Sequence, residues 1–208
     1  MPKIIENLED KIIKKSLSLF RKNSYKEVGM RTIAEEVGIA VGTLYNYYPN
    51  KWKLYIEVLE ESWQETYQRL KKNCKNVKGD YLKGFLQIFY FEMKDKKGIV
   101  RELFRYIMND LELNEEEQKE KLDRIRFPDT VINQIHKLFI INLEKEFAVD
   151  FDIDDLNLNR LFTMLQTYIP ILQRNYKNDQ ENITYLYDLT NSYLKEKIIK
   201  QKKAESLK

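Results

Sequence analysis

Residues 32 to 51 read Thr32-Ile-Ala-Glu-Glu-Val-Gly-Ile-Ala-Val-Gly-Thr-Leu-Tyr-Asn-Tyr-Tyr-Pro-Asn-Lys51. Ile33, Ala34 and Val37 fall on one face of a helix, and Ala34 is small enough to let a second helix cross closely. Gly38 stands where that helix must stop and the chain must turn sharply, in the left-handed conformation that glycine reaches without a Cβ penalty. Ile39 plugs the corner. Beyond it Leu44 and Tyr48, four apart, face a core, while Val41, Thr43, Tyr45 and Tyr47 point elsewhere. Pro49 ends this short helix and Lys51 opens another. The spacing predicts a helix, a tight turn and a second helix of the kind that enters a DNA major groove.

The outward side chains suit that partner. Hydroxyls of Thr43, Tyr45 and Tyr47 can bond phosphate oxygens, and Val41 offers a methyl surface to thymine. Arg31, at the start of the first of the two helices, has the reach and fork geometry for a bidentate contact with guanine. Thr32, Gly42 and Asn46 complete the expected surface, and the Lys51 ammonium is expected to reach a phosphate. The charge is distributed accordingly. Residues 1 to 56 hold 10 Lys and Arg against 6 Asp and Glu, whereas the whole chain has a net charge of only +3. The basic excess therefore sits with the motif, as phosphate binding requires.

Residues 12 to 54 resemble the DNA-binding domain of the TetR family of bacterial transcriptional regulators. The resemblance rests on Ile12, Ile13, Leu19, Phe20, Tyr25, Val28, Ile33, Ala34, Val37, Gly38, Ile39, Gly42, Thr43, Leu44, Tyr45, Tyr47, Tyr48, Lys51 and Leu54. Ser24 stands where glycine is common, and Gly29 and Ala40 replace the Ser or Thr that often caps the second and third helices. A missing cap costs about 0.5 to 2 kcal/mol at alanine and a few tenths at glycine.

The resemblance implies an all-α chain of about nine to ten helices. Residues 1–50 would be a three-helix helix-turn-helix DNA-binding domain, 51–203 a helical effector-binding and dimerisation domain, and 204–208 a disordered tail. It implies a homodimer that represses by binding a palindromic operator and is released by a small hydrophobic effector. A factor of the same fold regulated by a protein partner, or without a ligand, is the alternative.

Composition fits long helices and short loops: 6 Gly and 4 Pro in 208 residues, with 43% apolar and 33% charged. The first helix is expected from about Ile4 to Lys22, with Leu8, Ile12, Ser16 or Leu17, and Phe20 inward. A long helix from Lys51 shows Trp52, Tyr55, Ile56, Leu59, Trp63, Tyr67 and Leu70 at three- and four-residue steps. After a break at Asn76 to Asp80, helices are marked by Leu82, Phe85, Phe89 and Met93, then by Val100, Leu103, Phe104, Ile107, Met108 and Leu111. The acidic stretch Glu112 to Glu120 leads to Pro128, where a helix restarts with Ile135, Phe139 and Leu143. Asp150 to Asp155 suits the N-terminus of a following helix through its dipole. That helix carries Leu158, Leu161, Phe162, Leu165 and Leu172, with a kink expected at Pro170. The last, about Gln180 to Lys200, carries apolar residues on more than one stripe, as one side packing on its own body and another on a second chain would require. Leu165, Leu172, Leu186, Leu189 and Tyr193 are the candidates for that dimer interface.

Little in the sequence suggests catalysis. His136 is the single histidine, with no acid at helical spacing to complete a triad or metal cluster. Asp150, Asp152 and Asp154 begin like a calcium loop, but Asp155 stands where glycine is needed and Leu161 where glutamate is needed. No enzyme activity, metal or cofactor is expected. Trp63, Tyr67, Phe89, Tyr90, Met93, Phe104, Met108, His136, Phe139, Met164 and Tyr168 are candidate lining for an apolar effector pocket, although aromatics at helical spacing also simply pack cores. The single Cys74 lies in the polar stretch Lys71 to Lys75, where a surface position is expected; it excludes an internal disulfide and fits a reducing compartment. Lys3, Glu6, Glu9 and Asp10 break any signal-peptide core, and no apolar run is long enough to span a bilayer, so a cytoplasmic protein without membrane contact is expected.

Overall fold

The computed structural model describes residues 7–96 and 129–205. Among these the chain is all-helical: α1 Leu8–Lys22, α2 Met30–Val37, α3 Val41–Tyr47, α4 Lys51–Cys74, α5 Tyr81–Asp95, α6 Asp129–Phe147, α7 Leu156–Asn175 and α8 Asp179–Glu205. The all-α class is as expected, with eight helices described against nine to ten anticipated. The helices expected between Val100 and Pro128 lie outside the described residues. No described helix is long and apolar enough to cross a membrane.

The chain divides into two compact units, Met1–Tyr67 with Asp95–Ile132, and Gln68–Lys94 with Asn133–Lys208. The first part of α4 thus groups with α1 to α3. The reason lies in packing: Leu54, Tyr55, Val58 and Leu59 of α4 are buried, and the Tyr55 ring lies 5.2 Å from Phe20 and 4.8 Å from Tyr25. Trp52 stacks on Tyr55 at 5.6 Å and completes an aromatic cluster that fastens the start of α4 to the end of α1.

In this first unit α1 buries Ile12, Ser16, Leu17 and Phe20, so both inward candidates at 16 and 17 are inside. Glu27 closes the loop after α1, accepting from the Ser24 amide and hydroxyl, both at 2.8 Å. α2 buries Met30, Ile33, Ala34 and Val37 and ends at Gly38, whose φ is +81°. The Ile39 amide reaches back to the Ala34 carbonyl at 3.0 Å, the long-range bond of a left-handed helix stop. Gly29 and Ala40 precede α2 and α3 with no side-chain cap, as their residue types require. Asn50 caps α4 through its carbonyl oxygen, which accepts from the Lys53 amide at 2.9 Å.

In the second unit a core of Phe85, Phe89, Phe139, Leu143, Leu158, Phe162, Leu165 and Leu186 joins α5, α6, α7 and α8. Asp155 caps α7, accepting from the Asn157 and Leu158 amides at 2.8 and 3.1 Å, and its other oxygen holds Lys197 of α8 at 2.5 Å. The acid expected to suit this helix end therefore also ties α7 to α8. α7 continues through Pro170 to Asn175. α8 runs to Glu205, so the first two residues of the anticipated tail, 204 and 205, are helical.

Cys74 corrects its sequence reading. It is 4% exposed, because it occupies the last position of α4 on the buried side. Burial pushes its thiol up to about 11, outweighing the opposite pull of Lys145.

Candidate nucleic-acid interface

The two helices around Gly38 sort their side chains as the spacing demands. Leu44 and Tyr48 are buried, and the Tyr48 hydroxyl donates to Glu57 at 2.8 Å. On the other side of α3, Tyr45 and Tyr47 are 47% and 44% exposed. Val41, Gly42 and Asn46 are exposed with them, Thr43 is half-buried, and Arg31 and Thr32 lie exposed at the start of α2. A Cβ placed on Gly42 would meet nothing within 4 Å, so the first turn of α3 faces open space. Among the described residues, the side chains of Arg31, Thr32, Thr43, Tyr45, Asn46 and Tyr47 make no hydrogen bond or ion pair. This concentrates unused donors and acceptors on one surface, whereas groups elsewhere in the head are committed. Lys15 bonds Glu36 at 2.9 Å, which holds that carboxyl below its usual range, and Arg21 bonds Glu65 at 2.6 Å.

Lys51 departs from its expected place. Its ammonium donates to the carbonyls of Tyr25 and Val28 at 2.8 and 3.0 Å and lies 4.2 Å from the centre of the Tyr25 ring. The charge assigned to a phosphate is directed inward, where it satisfies carbonyls of the loop between α1 and α2. Spacing along α4 could not show this, because the loop that supplies those carbonyls precedes Lys51 by more than twenty residues.

The candidate effector residues separate. Trp63 and Tyr67 belong to the first unit and Phe89, Tyr90, Met93, His136, Phe139, Met164 and Tyr168 to the second, while Phe104 and Met108 lie outside the described residues. Trp63 lies beneath Lys96, whose ammonium is 4.7 Å from the ring centre and donates to the Ser62 carbonyl and hydroxyl at 2.5 and 2.7 Å. Phe89, His136 and Phe139 do come together, around Phe162. Tyr90 points away from them: its hydroxyl donates to Asp179 at 2.8 Å and accepts from Asn182 at 3.0 Å. Its backbone carbonyl accepts from Gln173 at 2.7 Å. Tyr168 is half-buried on α7, and burial and Tyr185 of α8, itself 51% exposed, are among the causes that push its hydroxyl up. Tyr90 is a correction, placed by hydrogen-bonding partners that helical periodicity does not reveal.

The dimer candidates divide too. Leu165, Leu172 and Leu186 are buried within their own chain, so they are withdrawn as interface residues. Leu189 and Tyr193 are 40% and 37% exposed. With Tyr185 they form a stripe at four-residue steps along α8, and Ile171 of α7 and Tyr176 just after it are exposed as well. Tyr185, Ile171 and Tyr176 were absent from the sequence-based set.

A helix-turn-helix head with an unused polar face is the arrangement of a DNA-contacting module. The head, residues 12–58, matches bacterial regulatory proteins of the tetR family. The chain is 36% identical over 69 residues to the HTH-type transcriptional repressor KstR of Rhodococcus jostii, covering 33% of this chain and 31% of that one. It is 33% identical over 72 residues to the HTH-type transcriptional regulator QacR of Staphylococcus aureus, covering 33% and 38%. These matches span only about a third of either relative's length. The fold extends further: a tetR-family transcriptional regulator from Streptomyces coelicolor superposes with a TM-score of 0.62 at 15% identity, over 88% of this chain and 79% of that one.

Proposed function

We propose that the protein is a homodimeric transcriptional repressor that binds a palindromic operator through α3 and leaves it when a small hydrophobic effector enters the helical body. The observation that carries this reading is the face formed by Arg31, Thr32, Thr43, Tyr45, Asn46 and Tyr47, solvent-facing and without partners among the described residues. Tyr45, Tyr47 and Thr43 would fix the register on the phosphates, Arg31 would read guanine, and Val41 would touch a thymine methyl. Lys51 supports this surface from behind by bonding the loop that leads into α2.

Dimerisation supplies what one head lacks, since a single helix-turn-helix covers too few base pairs for useful specificity. The stripe Tyr185, Leu189 and Tyr193 supports α8 as the two-fold contact, because an apolar row facing water on a helix already buried on its other side calls for a partner. Effector release requires differential affinity for the state that cannot bind DNA; each 1.4 kcal/mol of preference weakens operator binding about tenfold.

The test is fluorescence anisotropy with DNA flanking the protein's own gene, using wild type, Tyr47→Ala and a salt series. Saturable, salt-sensitive binding that the variant loses is expected. Equal affinity for random DNA in both proteins would overturn the reading.

A further inference from the structure

Among the described residues of the second unit, buried side-chain atoms of His136, Asn142 and Thr190 lack a hydrogen-bond partner, and that of His136 is set among stacked aromatic rings. His136 is 5% exposed, and its Nε2 has no hydrogen-bond partner among the described residues. The imidazole stacks on Phe162 at 4.9 Å and 29°, and on Phe139 at 6.4 Å and 27°. Phe139 and Phe162 stack on each other at 5.6 Å, and Phe89 stacks on Phe162 at 5.9 Å. These near-parallel contacts use the ring faces. The nitrogen lies in the plane of its ring, so it is directed from the edge of the stack and not into it. Buried polar atoms in folded proteins nearly always have partners, and leaving one without destabilises the fold. A phenylalanine at position 136 would stack as well without that loss.

We infer that the effector is an apolar molecule with one uncharged hydroxyl head, and that this hydroxyl donates its proton to Nε2 of His136. The inference rests on the effector reading above and adds the ligand's chemistry to it. Phe89, Phe139 and Phe162, all buried, surround the imidazole with the apolar rings that such a body would have to pack among. Burial lowers the proton affinity of His136 and keeps the imidazole neutral. A neutral imidazole bears its proton on one nitrogen and a lone pair on the other; with the lone pair on Nε2, as the inference requires, the ring accepts from a hydroxyl, whereas a carboxylate brings no proton and would leave water without a countercharge from this ring.

The sole histidine makes the test site-specific, because protein labelled with 15N-histidine gives one imidazole spin system. The full-length protein is titrated with 1-octanol, octane and sodium octanoate while the Nε2 resonance is followed and binding is measured by equilibrium dialysis. Octanol should bind saturably and move the unprotonated Nε2 resonance upfield, while octane leaves it in place and octanoate binds more weakly. His136→Phe should lose about two- to tenfold in octanol affinity, the loss of one neutral hydrogen bond, with octane affinity unchanged as a check on folding. No octanol binding, binding that leaves Nε2 unmoved, or an equal response to octanoate would overturn the inference. Operator anisotropy with octanol separates the two readings. Octanol bound at His136 without operator release would overturn the effector reading alone, and release with Nε2 unmoved would overturn the histidine contact alone.

Discussion

At Gly38 the backbone conformation is one that residues with a Cβ adopt only at a cost, so the turn between α2 and α3 depends on a missing side chain. No heavy atom lies within 4 Å of where a Cβ would stand, and the penalty for adding one is purely conformational. Gly38→Ala should lower stability by about 1 to 2 kcal/mol, read as a lower urea midpoint with an unchanged slope. This residue was legible in the sequence because its role follows from local geometry. Cys74 was not, since the lysines around it suggest a surface while its position on α4 turns it inward. With its thiol pushed up to about 11, the native protein should react with a disulfide reagent at roughly pH 8 far more slowly than the urea-unfolded chain. Comparable rates would show that Cys74 is accessible. Because its folded pKa lies above the ordinary 9.0, the unfolded chain loses its proton first, and stability should fall as pH rises from 9 towards 11. Cys74→Ala should lessen that fall.

At the scale of the element, α8 shows how far periodicity reaches. More than one apolar stripe was visible in the sequence, and the helix does carry two: Ile183, Leu186, Leu194 and Ile198 inward, with Tyr185, Leu189 and Tyr193 outward. Which residue belonged to which stripe was only half legible, because Leu186 and Leu189 are chemically identical and differ only in what lies opposite. The outward stripe carries a prediction. Leu189→Arg places a charge on it without disturbing the buried face, so sedimentation should show the dimer giving way to monomer while helicity by circular dichroism is retained. If the variant sediments like wild type, the two-fold contact lies elsewhere. The same distinction separated the effector candidates. Phe89, His136 and Phe139 lie together because each turns to the same interior, whereas the Tyr90 hydroxyl is drawn away by Asp179 and Asn182.

At the scale of the whole molecule, the motif made the head legible, but what packs beneath it was not. The stripe on α4 announces burial without naming what covers it, and its first half packs with α1, so the division falls after Tyr67. The charge distribution also acts at this scale. With the basic excess confined to the head, operator affinity should fall linearly with the logarithm of salt concentration, with a slope near −0.9 per phosphate neutralised. A flat response would mean that the basic excess takes no part in binding. The scarcest residues are divided between the units: Trp52 and Trp63 fall in the first, Cys74 and His136 in the second. Each unit therefore carries its own native reporter, with indole fluorescence for one and thiol exposure or the imidazole resonance for the other. Since α4 contributes residues to both, the fluorescence and thiol transitions in urea should coincide. Separate midpoints would reveal an intermediate with one half melted, visible without a single added label.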